Sequence, residues 1–334
     1  MDTNLLFSLS NAVSLGNLKE ASNIAKNELS KYMPVTEFGT LGLIGKLDKG
    51  ANHTLMLDAH IDEVGFVVTN ILEDGFVKVS NMGGIDKRIL PATPVVIHGK
   101  RDVSAVFAST PPHLGKGEPK EVTDILLDTG IASDLDKVVS VGDFVSFDSK
   151  ATKLFGSRVC GKSFDDRAAV FCLIEIASRI YDKELPFNVI FCLSDQEELG
   201  LRGAKTVSFS LDCDEAIAID VSFGDAPDVP DSHLKKLGGG VMIGVSPILN
   251  KSMTDLFLKI CDKKSIPFMH EVMSGTTGTD ADSITISKSG VPTGLLSIPL
   301  RNMHTPCEII DLRDLDAVCD LVYDYILSGG AMND

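Results

Sequence analysis

The chain has 334 residues, 44% of them hydrophobic, with a formal net charge of −16. That length suits two domains or one large domain carrying an insertion, and the apolar content excludes a disordered chain. The negative charge argues against an electrostatic partner such as nucleic acid or an anionic membrane, because neither polyanion would be attracted.

Seven cysteines are an odd number with no CxxC pair, and several lie in apolar runs such as AAVFCLIEIA and VIFCLS. They read as small buried hydrophobes in a reducing compartment. No basic segment followed by a long apolar core opens the chain, and no apolar run nears the ~20 residues of a membrane span. A cytoplasmic location is the expectation.

In chain order, Leu18, Ala21, Ile24, Ala25 and Leu29 recur at helical spacing, predicting a helix over much of the first thirty-odd residues, before Pro34 and Gly39 punctuate. TLMLDAH (54–60) is a short strand that runs into a loop at His60. From Val64 to Ser149 the texture changes to short apolar runs between Gly, Asp and Pro, which is how a small all-β module reads. One helical interruption is predicted around KEVTDILLDTG. From Asp165 onward helices alternate with strands: a helix over DDRAAVFCLIEIASRIYD, strands at FNVIFCLS, EAIAID and PTGLLSIP, and helices at MTDLFLKICDKKS and DLRDLDAVCDLVYDYILSG. Alternation implies a mostly parallel sheet covered on both faces. The predicted architecture is an α/β domain (residues 1–63 and 152–334) interrupted by a β-rich insertion (64–151).

Five metal-ligand-type side chains stand where apolar runs end: His60, Asp165, Glu198, Asp220 and His304. Each has an ordinary explanation alone. His60 with Asp62 is equally a loop histidine beside a solvated acid; Asp165–Asp166 would more often be a helix cap; Glu197–Glu198 would usually be an exposed acidic turn. Together they gain weight, because separate strands deliver them to one end of the inferred sheet, where open α/β sheets bind ligands. Two imidazoles and three carboxylates suit a pair of divalent cations. A carboxylate at 165 can bridge two cations, one glutamate of the 197–198 pair can bind metal while the other acts as general base, and Asp62 can orient His60. The remaining histidines (His53, His98, His113, His233, His270) lack such context and read as structural or surface residues.

With these residues placed, the chain closely resembles the co-catalytic metallo-aminopeptidases of the tetrahedral-particle (TET) type, variously labelled glutamyl, deblocking, FrvX-like or endoglucanase-like. The resemblance covers nearly the whole chain through DAHIDEVGF, STPPHLG, LLDTGIAS, GKSFDDRAA, QEELGLRGA, GTDAD and RNMHTP, in order. It implies two divalent metals per chain, zinc or cobalt, with manganese also compatible. His60 and Asp220 would hold one, Glu198 and His304 the other, and Asp165 would bridge them, followed by a cis peptide to Asp166. Glu197 would be the general base and Asp62 the support of His60. Thr279, Asp280 and Arg301 are candidate substrate-pocket residues. The implied fold is a phosphorylase/hydrolase-like metallopeptidase domain with an inserted PDZ-like β-barrel for dimerisation, the dimers joining in a dodecameric tetrahedron. Arg301-Asn302 replaces the family's Arg-Tyr, and GGGVMIG and EFGTLGLIG also depart from its pattern. No ligand is lost, but side-chain preference does not transfer.

The implied reaction is removal of N-terminal residues from short peptides by a metal-bridging water, with Glu197 taking its proton. A metal-dependent deacylase of N-acyl amino acids would use the same centre. A glycosidase built on Glu197 and Asp220 would leave His60 and His304 without a role. A non-catalytic scaffold would be expected to have lost a ligand or the base, and neither is missing.

Overall fold

Runs such as LMLDA, VIFCL and AIAID are apolar at nearly every position, the mark of strands covered on both faces. The computed structural model, which describes residues 2–111, 113–114, 121–227 and 235–331, places them in the middle of an eight-stranded sheet. Its order is Phe268–Val272, Val241–Val245, Thr293–Leu300, Glu215–Phe223, His53–His60, Phe187–Ser194, Gly42–Leu47 and Val35–Glu37. The four strands from Thr293–Leu300 to Phe187–Ser194 are parallel. Antiparallel pairing enters on both flanks, through Gly42–Leu47 and Val35–Glu37 on one side and through Val241–Val245 against Thr293–Leu300 on the other. The sheet is therefore mixed, where the sequence predicted a mostly parallel one. Part of the reason is local: only residues 38–41 separate Val35–Glu37 from Gly42–Leu47, too few for the crossover that a parallel pair needs.

Side-chain alternation sets the two faces. On strand His53–His60, Leu55, Leu57 and Ala59 enter the main core with helices Thr3–Asn11, Glu20–Leu29, Phe164–Ile180, Lys251–Lys264 and Leu312–Ser328. Met56 faces the other way, into a smaller core with Ala204 and Val207 of helix Arg202–Ser210 and Ile284 of the short helix Ala281–Ile284. His60 shares the parity of Met56, so it emerges on the face of the short helices.

Two local expectations change. The predicted N-terminal helix is two helices separated by a small hairpin, Ser14–Leu15 against Leu18–Lys19. Gly16 turns that hairpin with a φ of +58°, and a Cβ there would lie 2.2 Å from the Phe144 ring. Leu18 is thus a strand residue. The stretch KEVTDILLDTG forms a single 3-10 turn at Val122–Asp124 and then strand Leu126–Asp128, because its leucines pair with strands on both sides.

Residues 65–147 contain a closed six-stranded barrel, ordered Leu126–Asp128, Phe76–Met82, Gly65–Ile71, Phe144–Phe147, Pro94–His98 and Asp102–Phe107. It has its own core, in which Phe66 meets Phe107 and Phe147 edge-on at ring separations of 5.0 and 5.6 Å. The chain leaves it through a three-stranded sheet of Thr152–Lys153, Arg158–Gly161 and Glu308–Asp311. That sheet brings the start of helix Phe164–Ile180 beside the loop carrying His304. Among the described residues no helix is long and apolar enough to cross a membrane. Pro112 and Gly115 of STPPHLG, and His233, lie outside the described residues.

Candidate metal centre

The four parallel strands end side by side, and each delivers one donor. His60 closes its strand in register with Ser194, whose strand leads into Glu197 and Glu198. Asp220 lies in register with Ser297, and His304 follows Thr293–Leu300. Asp165 arrives from the opposite direction, at the head of helix Phe164–Ile180. Its φ/ψ of −79°/100° is not helical, neither aspartate acts as the cap, and the Asp165–Asp166 peptide is cis.

The donors converge on Asp165. Its Oδ1 is 3.0 Å from His60 Nε2 and its Oδ2 is 3.1 Å from His304 Nε2. His304 Nε2 is also 3.1 Å from Glu198 Oε1. Ligand-type atoms of His60, Asp165 and Asp220 lie within 4.8 Å of one another, as do those of Asp165, Glu198 and His304. Asp165 belongs to both groups. A third overlapping group joins His60, Glu197 and Glu198.

Electrostatics report the crowding of acids. Burial would raise Asp165, but the imidazoles of His304 and His60 outweigh it and hold the carboxyl below its ordinary range. Burial likewise works against charge on His304, yet Asp165 and Glu198 raise it to about 11. Asp220 and Glu198 are pushed up, chiefly by burial. Burial pushes Glu197 up to about 8, with Asp280, Glu198 and Asp165 adding to the effect and His60 opposing it. The two imidazoles stand against the clustered carboxylates and favour their charged forms. Divalent cations fit the same place, since borderline nitrogen and oxygen donors are the set that zinc, cobalt and manganese accept.

Surrounding groups fix these side chains. Asp62 Oδ1 stands 3.4 Å from His60 Nδ1, an ion-pair contact too long for a hydrogen bond. The same carboxylate accepts the backbone N–H of Glu197 at 3.0 Å and of Glu198 at 3.2 Å. Asp62 therefore ties the His60 strand to the 197–198 turn. Replacing it with asparagine removes one of the two accepting oxygens and is expected to weaken metal binding or turnover about 10- to 100-fold. Metal titration of Asp62→Asn checks this, and wild-type affinity together with wild-type turnover would remove that role.

Residues without a sequence signal complete the frame. Glu308 accepts the backbone N–H of His304 at 2.9 Å and of Asp165 at 3.1 Å, linking donors 139 positions apart by their numbering. His304 Nδ1 donates to the Gly84 carbonyl, so the barrel helps to set the ring. Glu63, beside Asp62 in the DAHIDEVGF motif, holds Lys162 at 2.5 Å below the site. Its motif position was the one available hint.

A cavity of about 280 Å³ opens beside the cluster and is lined by Glu197, Asp220 and His304 among others. Of the three pocket candidates, Thr279 lines it. Asp280 instead accepts Ser194 Oγ at 2.5 Å beneath the strands, and Arg301 pairs with Asp225 at 2.7 Å, so both stand outside the lining. His98 bonds Ser146 and Asp102 within the barrel, well away from the donors in sequence and strand.

An α/β sheet with imidazole and carboxylate groups gathered at its carboxyl edge is an arrangement that could hold metal ions, as in metal-dependent hydrolases. Comparison narrows the class. The sequence profile described as M42 glutamyl aminopeptidase matches residues 42–321. A lysyl aminopeptidase of Pyrococcus furiosus is 32% identical over 280 residues, which is 80% of each chain. The TET aminopeptidase of the archaeon Thaumarchaeota archaeon SCGC AB-539-E09 superposes with a TM-score of 0.92 at 28% identity, covering 97% of this chain and 95% of that one. The Pyrococcus horikoshii TET1 peptidase gives 0.85 at 28% identity, over 97% and 99%. The chain belongs to the M42 aminopeptidase family and is a hydrolase of peptide bonds.

Proposed function

We propose that the protein removes N-terminal residues from short peptides at a two-cation centre, with His60 and Asp220 holding one cation, Glu198 and His304 the other, and Asp165 shared. The observation that carries this is the membership of Asp165 in two separate donor groups, with an imidazole on each of its oxygens. Divalent zinc, cobalt or manganese held there would supply polarisation of the scissile carbonyl and acidification of the attacking water. Glu197, on the cavity wall, takes the proton of that water and passes it to the leaving amine nitrogen. Asp62 positions both His60 and the Glu197 backbone. The small cavity beside a carboxylate-rich wall suits one side chain next to a free ammonium, which favours exopeptidase action.

The Pyrococcus horikoshii TET1 peptidase assembles into a tetrahedron or a large octahedral shell. By extension, the inserted barrel, PDZ-like in this reading, joins two copies, and dimers build a tetrahedral dodecamer whose chain count native mass spectrometry would read. All seven cysteines are free, in keeping with work in the reducing cytoplasm.

The test is a substrate panel on the metal-reconstituted protein. Aminoacyl anilides and short peptides with free amino termini are expected to be cleaved and N-acetyl amino acids spared. The reverse pattern would make it a deacylase.

A further inference from the structure

The cavity has two chemically distinct ends. One is the donor cluster; the other is built from strands further along the sheet, and it contains an acid that the reaction does not use. Glu271 lies on the edge strand Phe268–Val272, in register with Gly244 of Val241–Val245, which in turn pairs with Thr293–Leu300. Because its register partner is a glycine, no side chain from the intervening strand stands in its path. Glu271 Oε2 reaches across to accept Ser297 Oγ at 2.6 Å, and the Ser222 hydroxyl of strand Glu215–Phe223 is near enough to favour the charged form of the same carboxylate. Asp220 and Ser222 share one strand face by parity, and Ser297 is the register partner of Asp220. The carboxylate is thus fixed on the same wall as the metal donors.

The bond from Ser297 leaves the carboxylate with spare accepting capacity, since its two oxygens offer about four lone-pair sites. The lining also includes the apolar residues Leu295 and Met303. Among the described residues, no lysine or arginine lines the cavity. Burial pushes Glu271 up, the serines oppose that, and the smallest influence is a through-space attraction from Lys235. A cation brought to the carboxylate would relieve the cost of its burial. An acidic side chain in its place would meet a carboxylate, with no lysine or arginine among the described lining residues to offset the repulsion.

We propose that Glu271 is the specificity-determining residue of this cavity and selects peptides whose N-terminal residue is lysine or arginine. The methylene stem lies along the apolar lining and the charged head meets the Glu271 carboxylate. This rests on the aminopeptidase reading of the adjoining centre; it departs from the glutamyl label of the family and agrees with the name of the Pyrococcus furiosus relative.

The experiment measures kcat/KM of the full-length, metal-loaded protein for lysyl, arginyl, norleucyl and glutamyl amides. Norleucine keeps a straight aliphatic stem and lacks the cation. Wild type is expected to prefer lysyl and arginyl amides, with glutamyl the poorest. Glu271→Gln should lower the lysyl-to-norleucyl ratio about 10- to 100-fold, mostly through KM, as for loss of a charge-assisted hydrogen bond. Glu271→Asp should retain the preference, and Glu271→Lys should move it towards glutamyl. Calorimetric binding of free lysine against norleucine reads the same preference without turnover. A ratio unmoved by both Glu271→Gln and Glu271→Lys, or a wild type indifferent between lysyl and norleucyl amides, overturns the assignment while leaving the aminopeptidase reading intact. A wild type that cleaves none of the four amides brings down both.

Discussion

Replacing Glu197 with glutamine is expected to lower turnover by about 10²- to 10⁴-fold while the metal content stays at the wild-type level. Glu197 sits on the cavity wall with its backbone N–H anchored to Asp62. Burial, the largest influence on it, pushes its carboxyl up to about 8, into the range where a group exchanges protons near neutral pH. Glutamine keeps the size and an accepting oxygen but cannot take a proton. The prediction discriminates because Glu197 also belongs to a donor group with His60 and Glu198. If it were a ligand rather than the base, Glu197→Gln would lose about one metal per chain by elemental analysis. Chelation of the wild type supplies the contrast: metal and activity should disappear together and return together on reconstitution. A variant with near-wild-type turnover would mean that the proton goes elsewhere.

The donors were visible in the sequence because each one interrupts an apolar pattern at a strand end. His60 ends LMLDAH and Asp220 ends AIAID, and a polar group there stands out against its neighbours. Their convergence needed one further step, the placement of four parallel strands side by side, which β–α alternation suggests. The barrel showed itself through short runs broken by Gly, Asp and Pro, though its strand order did not, since pairing across the closure depends on distant segments. What stayed hidden has the same cause throughout. Glu308 is a single acid between Cys307 and Ile309, and nothing local marks it as holding both Asp165 and His304. Glu271 looks like an ordinary edge-strand residue until Gly244 and Ser297 are seen beneath it. KEVTDILLDTG reads helical by composition, yet its leucines answer to partners at 77, 78 and 107. Local pattern announces which residues interrupt a core, whereas partners supplied by distant strands leave no local trace.

Glu63 carries the largest expected effect on stability. Its buried carboxylate receives Lys162 Nζ at 2.5 Å, Ser163 Oγ at 2.6 Å and the Ser14 backbone N–H at 2.9 Å, and Arg167 Nη2 lies 3.5 Å away. Both cations are fully buried too, and they also donate to carbonyls near the end of helix Thr3–Asn11: Arg167 to Leu9 and Ala12, Lys162 to Ala12. Burial lowers the pKa of each below its ordinary value, with Glu63 as the leading opposing influence. Glu63→Ala would leave two buried cations without their acid and a cavity beside them. A cost of about 3–5 kcal/mol follows from breaking a buried pair on one side only. Thermal or denaturant midpoints of Glu63→Ala against wild type measure it, and a loss below about 1 kcal/mol would contradict the role. Glu63→Gln, which keeps the shape and one accepting oxygen, should fall between them. Acid gives the same group a second signature. Burial would raise Glu63, but Lys162 and Arg167 outweigh it and hold the folded carboxyl below its ordinary value of 4.5. Its contribution is therefore present above that value and lost as pH falls through the lower folded one. In Glu63→Ala that share of the acid-induced loss is missing, so the difference in stability between variant and wild type should narrow at low pH. The cations that Glu63 restrains flank Asp165 in the chain, so this buried pairing sets the floor on which the donor cluster stands.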